Sequence, residues 1–227
     1  MKQHRVFRAA RWLAALAIGG GMAGAVQADT VVLGTSGWQA SWDSSLDGLV
    51  DIVLDGITSD SVIIQKAVEF TQPPGVGGLF PPVAVVFQQI SANAVPNIII
   101  TDEILTNSTG TAWTDFHMQL VDSGDAVFNP AATTGSGFST APFGHLTFGS
   151  GNTTLDVDGF GLGPGGSNAT VPHGGIYSPG AAAGELYIVT NPHSSAPFTT
   201  FSLKESPTPE PATGLVLLLG ATLLRRR

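Results

Sequence analysis

The sequence contains no cysteine and very few positive charges. Its 227 residues include nine Lys and Arg against 17 Asp and Glu, which gives a formal net charge of −8. Without cysteine the chain has no disulfides, no thiolate metal ligands and no cysteine nucleophile. The shortage of Lys and Arg argues against nucleic-acid binding, because positive side chains must displace the counterions of a phosphate backbone. The chain is nevertheless 43% hydrophobic, which is too apolar for a disordered acidic protein.

The few basic residues are concentrated at the two ends of the chain. Seven of the nine lie in residues 1–11 and 225–227, so that only Lys66 and Lys204 remain between Asp29 and Thr208. The same span carries 16 acidic residues, for a formal charge of −14. This partition predicts three parts: a leader at 1–28, a polyanionic domain at 29–206 and a tail segment at 207–227.

The leader has the layout of a secretory signal peptide. A basic segment at 1–11 is followed by an apolar run at 12–24 and by Val26-Gln27-Ala28, with compact residues at the positions that signal peptidase reads. A permanent anchor is the alternative. However, an apolar helix of about 13 residues at ~1.5 Å each is shorter than a ~30 Å hydrocarbon core. We therefore expect a signal helix, with signal peptidase cutting between Ala28 and Asp29.

The tail combines an extended spacer with a membrane-stop signal. Pro207, Pro209 and Pro211 favour an extended backbone, and residues 212–224 are apolar and uncharged. The three terminal arginines would hold the end of this hydrophobic helix on the cytoplasmic side of a membrane (Arg225, Arg226 and Arg227).

This tail closely resembles the PEP-CTERM sorting signal of Gram-negative bacteria. The resemblance rests on Pro209-Glu210-Pro211, the apolar run and the terminal arginine cluster, in that order. It implies that an exosortase recognises Pro209, Glu210 and Pro211 after transient anchoring in the inner membrane. It further implies that the apolar helix is removed and that the protein is delivered to the cell envelope, the cell surface or an exopolysaccharide matrix.

The central domain has the pattern of an all-β protein. Short runs rich in β-branched and aromatic residues recur between segments of Gly, Pro, Asn and Ser. Their spacing predicts an antiparallel β-sandwich of jelly-roll or immunoglobulin-like type, with long Gly-rich loops at 129–184. The predicted strands are Thr30–Leu33, Trp38–Trp42, Ser61–Phe70, Val83–Phe87, Ile98–Thr101, Phe116–Val121, His145–Phe148, Leu186–Thr190 and Phe198–Leu203.

The segment at 46–57 fits either a helix or a strand. Its apolar residues follow a helical stripe, but a helix would also stack aspartates at i, i+4, where like charges repel (Asp43, Asp47, Asp51 and Asp55). We therefore predict a strand with Val50, Ile52 and Leu54 pointing inward.

The histidines do not form a known catalytic motif. His117, His145, His173 and His193 have neither the spacing of a zinc helix nor a nucleophile elbow beside them. Asp115 and His117 would share one face of a strand. We interpret this face as solvated, although a carboxylate beside an imidazole could also orient it for catalysis. The odd separation of Trp113 and Phe116 predicts a bulge or a turn between them.

Asp156 and Asp158 are the weak calcium candidates. With Gly159 they match a fragment of a calcium loop, but the further oxygen ligands of a complete loop are absent, and a β-turn explains the fragment as well. We expect no cofactor, with calcium as the one alternative.

These observations predict an exported, non-catalytic protein with a structural or interaction role. Its expected partners are signal peptidase, the exosortase, extracellular polysaccharide and, transiently, the inner membrane. A carbohydrate- or calcium-binding adhesin is the first alternative, and it requires exposed aromatic side chains such as Trp38, Trp42 or Trp113. A secreted hydrolase is the second, and it requires histidines that converge with carboxylates.

Overall fold

The structure is a computed structural model that describes residues 29–75, 78–122, 124–158, 170–179 and 184–209. The predicted leader at 1–28, the tail from Glu210 onward and the Gly-rich segment at 159–168 lie outside the described residues.

Within these ranges the chain forms thirteen strands, one short α-helix and two single-turn 3-10 helices at Ser44–Leu46 and Ser150–Asn152. The helix α1 spans Pro130–Gly135. The strands are β1 Asp29–Val32, β2 Trp38–Trp42, β3 Val50–Ile57, β4 Ser61–Phe70, β5 Val83–Gln89, β6 Asn97–Asn107, β7 Trp113–Val121, β8 Ala126–Phe128, β9 His145–Phe148, β10 Thr154–Asp158, β11 Ile176–Tyr177, β12 Glu185–Thr190 and β13 Thr200–Pro209.

The strands form two sheets. One has the order β1-β2-β5-β13-β7-β10-β9, and the other has the order β3-β4-β6-β12-β8 with β11 also pairing with β6. The all-β prediction is confirmed, but the second sheet is mixed because β4 and β6 run parallel. The parallel pair arises because β5, the strand between them in sequence, belongs to the other sheet. The chain therefore crosses between the sheets twice before it returns beside β4.

The two sheets enclose one hydrophobic core. Strand β4 shows the alternation that a half-buried strand requires, with Val62, Ile64, Val68 and Phe70 buried. Aromatic rings connect the sheets: the ring centroids of Phe70 and Trp113 lie 5.3 Å apart, edge to face. Each large side chain buried in this way contributes roughly 1.5–3 kcal/mol.

From Val50 onward the ambiguous segment is a strand, as predicted, whereas Leu46 ends a 3-10 helix. Val50 and Ile52 are buried and Asp51 is exposed, but Leu54, expected to point inward, is 36% exposed. The pairing of β3 with β4 shifts register between Leu54 and Gly56, which turns the end of the strand away from the core.

The region at 129–184 contains more regular structure than its composition predicts. Helix α1 begins after Asn129, whose side-chain oxygen accepts a hydrogen bond from Ala132 N at 3.1 Å, and Pro130 occupies the first turn. An Asn cap followed by proline is a recognisable helix start, and the sequence prediction overlooked it.

Gly37 provides a test of the packing beside β2. It has φ +84, and a Cβ added there would lie 2.6 Å from the Cα of Ala94. Gly110 has a similar φ of +82 with nothing within 4 Å of its virtual Cβ. We expect Gly37→Ala to lower the free energy of unfolding by about 3 kcal/mol, because backbone strain and steric overlap add. Gly110→Ala should lower it by about 1 kcal/mol. If urea denaturation shows equal decreases in the free energy of unfolding for the two variants, the close packing of Gly37 against Ala94 is contradicted.

Candidate functional site along the C-terminal strand

Strand β13 is the central strand of the seven-stranded sheet. It pairs with β5 from Thr200 to Glu205 and with β7 from Ser202 to Pro209. Pro207, Thr208 and Pro209, which the sequence analysis assigned to the tail, continue this strand. Both prolines lie beyond the last residue that pairs with β5. Their missing N–H groups therefore fall where the strand has only one neighbour.

The predicted processing residues lie at the two ends of the described domain. Asp29 begins β1 and is exposed, and Pro209 ends β13 opposite Trp113. Between Trp113 and Asp115 the pairing with β13 shifts register and leaves Thr114 as an extra residue. This confirms the bulge predicted before Phe116. Ala28, Glu210, Pro211 and the terminal arginines Arg225, Arg226 and Arg227 lie outside the described residues.

A row of hydrogen bonds crosses the outer face of the sheet near the end of β13. His117 Nε2 lies 2.7 Å from Thr208 Oγ1, and His117 Nδ1 lies 2.7 Å from Asp156 Oδ1. The imidazole is 39% exposed and the carboxylate 41% exposed. Asp115 and His117 share a face as predicted, but the carboxylate that binds His117 comes from β10. The row thus connects three neighbouring strands.

The order hydroxyl, imidazole, carboxylate is the one that activates nucleophiles in serine hydrolases. Here the hydroxyl belongs to a threonine, and all three side chains stand on the outer face of a hydrogen-bonded sheet. A hydrolase also needs an enclosed site in which preorganised donors meet the developing oxyanion. What the geometry shows is a set of hydrogen bonds that hold three neighbouring strands together.

The two weak calcium candidates lie on a strand, so the β-turn considered for them is wrong. Asp156 and Asp158 belong to β10, in register with His117 and Asp115 respectively. Among the described residues, no three His, Asp or Glu side chains are grouped as metal ligands.

The remaining histidines have separate partners. His193 Nε2 lies 3.0 Å from Asp125 Oδ2, and His173 Nδ1 accepts a hydrogen bond from Gly110 N at 3.2 Å. His145 lies exposed on β9. The structure thus brings His117 and His193 to one aspartate each and does not assemble the four into one site.

The tryptophans proposed as a binding platform belong to the core. Trp38 and Trp113 are fully buried and Trp42 is 6% exposed. The Nε1 of Trp38 donates a hydrogen bond to Val95 O at 2.8 Å, which also fixes its orientation.

The inner face of the domain holds a charged cluster that the sequence analysis missed. Lys66 on β4 contacts Glu103 on β6 and Glu205 on β13, and all three side chains are at most 1% exposed. The Nζ of Lys66 donates to both oxygens of Glu205, at 2.7 Å and 2.6 Å. It also contacts Glu103 Oε1. We call these three residues the core cluster.

Part of the core cluster was visible in the sequence. Lys66 has the same phase as Ile64 and Val68, so the alternation of β4 already directs it inward. Glu103 gave no such signal. In the pairing of β4 with β6, two residues of β6, Asp102 and Glu103, lie opposite the single β4 residue Lys66. Asp102 has φ +47. This bulge shifts the inward phase of β6 from Ile98 and Ile100 to Glu103 and Leu105.

The core cluster alters the protonation of its members. Burial raises the pKa of Glu205 well above its ordinary value, Lys66 opposes this shift, and Glu103 adds to it. Burial alone would lower the pKa of Lys66, but the two carboxylates outweigh that effect and raise it. Two carboxyl groups beside one ammonium group in the core thus favour a proton on Glu205.

Comparisons with known proteins give no further information. No protein-family model, no curated protein and no solved structure matches the chain. In the described part of the chain, helices are too short to span a bilayer.

The outer hydrogen-bond row predicts a measurable contribution to stability. We expect His117→Ala to lower the free energy of unfolding by about 1 kcal/mol, because it removes cross-strand bonds to Thr208 and Asp156. Gln119→Ala is the matched control, since Gln119 is exposed two residues further along the same face of β7. It should change the free energy by less than about 0.5 kcal/mol. If the two variants lower the free energy of unfolding equally in urea denaturation, the hydrogen bonds of His117 do not stabilise the pairing of the strands.

Proposed function

We propose that the chain is an exported protein of the cell surface or exopolysaccharide matrix, with a structural or interaction role and no catalytic turnover of an external substrate. Its export and its location at the cell surface are predicted from the signal peptide and from the PEP-CTERM-like tail. In this proposal the domain is a β-sandwich of jelly-roll or immunoglobulin-like type.

The observation that best supports this function is that paired strands reach both predicted processing sites. Asp29, the residue after the expected signal cleavage, belongs to β1 and pairs with Trp42. Pro209, the residue before Glu210, belongs to β13 and pairs with Trp113. Cleavage at these two sites would therefore leave the thirteen described strands intact.

The position of β13 also suits attachment through the C-terminus. A strand at the centre of a sheet is held by its neighbours on both sides, and a pull along its axis loads many hydrogen bonds together. A C-terminal edge strand could be peeled from the sheet one bond at a time. The central position thus favours a protein that is held by its tail while it is exported or displayed.

The adhesin alternative has less support than the matrix role. Burial of Trp38, Trp42 and Trp113 removes the aromatic platform on which that alternative depended. A carbohydrate or calcium ligand would have to be held by loops or by the acidic surface. The hydrolase alternative would rest on Thr208, His117 and Asp156 alone.

Intact-mass measurement of the exported protein tests the sorting proposal. We expect a species that begins at Asp29 and ends near Pro209–Pro211. Glu210→Ala should retain the tail, because it removes the acidic residue of the recognition motif. Thr213→Ala, in the adjacent apolar run, is the control and should be processed normally. An exported form that still ends at Arg227, or normal processing of Glu210→Ala, would refute the proposed role of the motif.

A further inference from the structure

The core cluster contains one more carboxyl group than an ion pair needs. Lys66 is the only basic side chain in it, and Glu103 and Glu205 approach it from different sheets. A simple buried pair would use one carboxylate, and a second one adds desolvation cost without a second cation. The additional acid therefore requires a chemical explanation.

The arrangement places an amine and a carboxyl group in contact within a closed apolar site. Lys66 Nζ lies within hydrogen-bond distance of both Glu205 oxygens, so it also contacts the Cδ atom between them. On β4, Ile64 and Val68 flank Lys66, and on β13 Leu203 precedes Glu205 on the same face; all three are buried. Such fixed proximity replaces a bimolecular encounter and accelerates reactions by large factors.

We propose that Lys66 and Glu205 condense into an intramolecular isopeptide bond, with Glu103 as the proton relay. The bond joins β4 of one sheet to β13 of the other. It requires only the folded domain and does not rest on the sorting proposal.

The atoms balance without any external reagent. The starting state has the Lys66 ammonium, the Glu103 carboxylate and the Glu205 carboxylic acid. Glu103 takes one proton from the ammonium, and the neutral amine attacks Cδ of Glu205. A new Nζ–Cδ bond forms and the bond from Cδ to the hydroxyl oxygen breaks. That oxygen leaves as water, with its second proton relayed from nitrogen through Glu103, which ends as a neutral acid.

Each participant has the position that its role requires. Glu103 contacts the amine through Oε1, so its carboxylate lies where it can take the proton. Rotation of the Glu205 carboxyl about its last side-chain torsion, which is soft, presents its face to the amine. The product replaces buried charges with a neutral amide and a neutral acid, which lowers the desolvation cost of the core.

The intact mass of the purified full chain tests the proposal once its termini have been determined. We expect the mass to be lower than that of the corresponding linear, unmodified chain by one water molecule. Fragmentation of a proteolytic digest should give a branched peptide that joins Lys66 to Glu205. A full mass, or linear peptides containing unmodified Lys66 and Glu205, would overturn the proposal.

Variants distinguish the formation of the isopeptide bond from dehydration reactions elsewhere in the chain. Lys66→Met should restore the full mass, whereas a dehydration at an Asp-Gly sequence would persist. Lys204→Met is the matched control, because Lys204 lies on the opposite face of β13, and it should keep the mass deficit. Glu103→Gln should abolish or strongly slow bond formation while leaving the amine and the acceptor in place.

The result does not depend on the folding of these variants. If Lys66→Met does not fold, the branched peptide from the unsubstituted chain decides the question. A branch between Lys66 and Glu103 would refute the assignment of acceptor and relay. Rapid and complete bond formation in Glu103→Gln would refute the relay.

Discussion

The burial of Lys66 between the two sheets constrains the whole domain. Its ammonium group is compensated only when β4, β6 and β13 are all in register, because Glu103 and Glu205 come from different sheets. Removing one partner of a buried ion pair typically costs about 3–5 kcal/mol, since the other charge is left without compensation. A slip of one residue in any of the three strands would turn its charged side chain outward. The core cluster therefore specifies the mutual placement of the sheets as well as the local pairing of strands.

The core cluster also shows which buried residues can be predicted from the alternation of a sequence and which cannot. The inward phase of Lys66 follows from the alternation of β4 and could have been noticed. The inward phase of Glu103 could not, because simple alternation from Ile98 and Ile100 places Asp102 in the core. The bulge at Asp102, with its left-handed backbone, reverses that assignment. Such a bulge depends on pairing between strands that are distant in sequence, and a single sequence does not display that pairing.

The same distinction applies to the rest of the fold. The strands from Trp38 to Trp42 and from Ser61 to Phe70 were predicted with their observed bounds, because their periodicity is local. Strand β10 was missed although Leu155 and Val157 alternate with polar residues, because its aspartates matched a fragment of a calcium loop. The bond between His117 and Asp156 depends on the neighbouring positions of β7 and β10, which no local pattern specifies. Patterns within a strand were thus predictable, and contacts between strands were not.

Strand β13 combines these constraints at the point where the domain meets its tail. Its outer face is joined to β7 by the hydrogen bond between Thr208 and His117, and its inner face contributes Glu205 to the core cluster.

Residues 66 and 205 are 139 positions apart, so a covalent bond between them closes most of the domain into one loop. By the chain-entropy relation derived for disulfides, closing a loop of that length destabilises the unfolded chain by about 5 kcal/mol. A chain without cysteine has no disulfide to supply this constraint. An amide bond would supply it and, unlike a disulfide, would not be broken by reducing agents. The scarcity of lysine also gives the reaction its selectivity, because Lys204, the other lysine among the described residues, lies on the opposite face of β13.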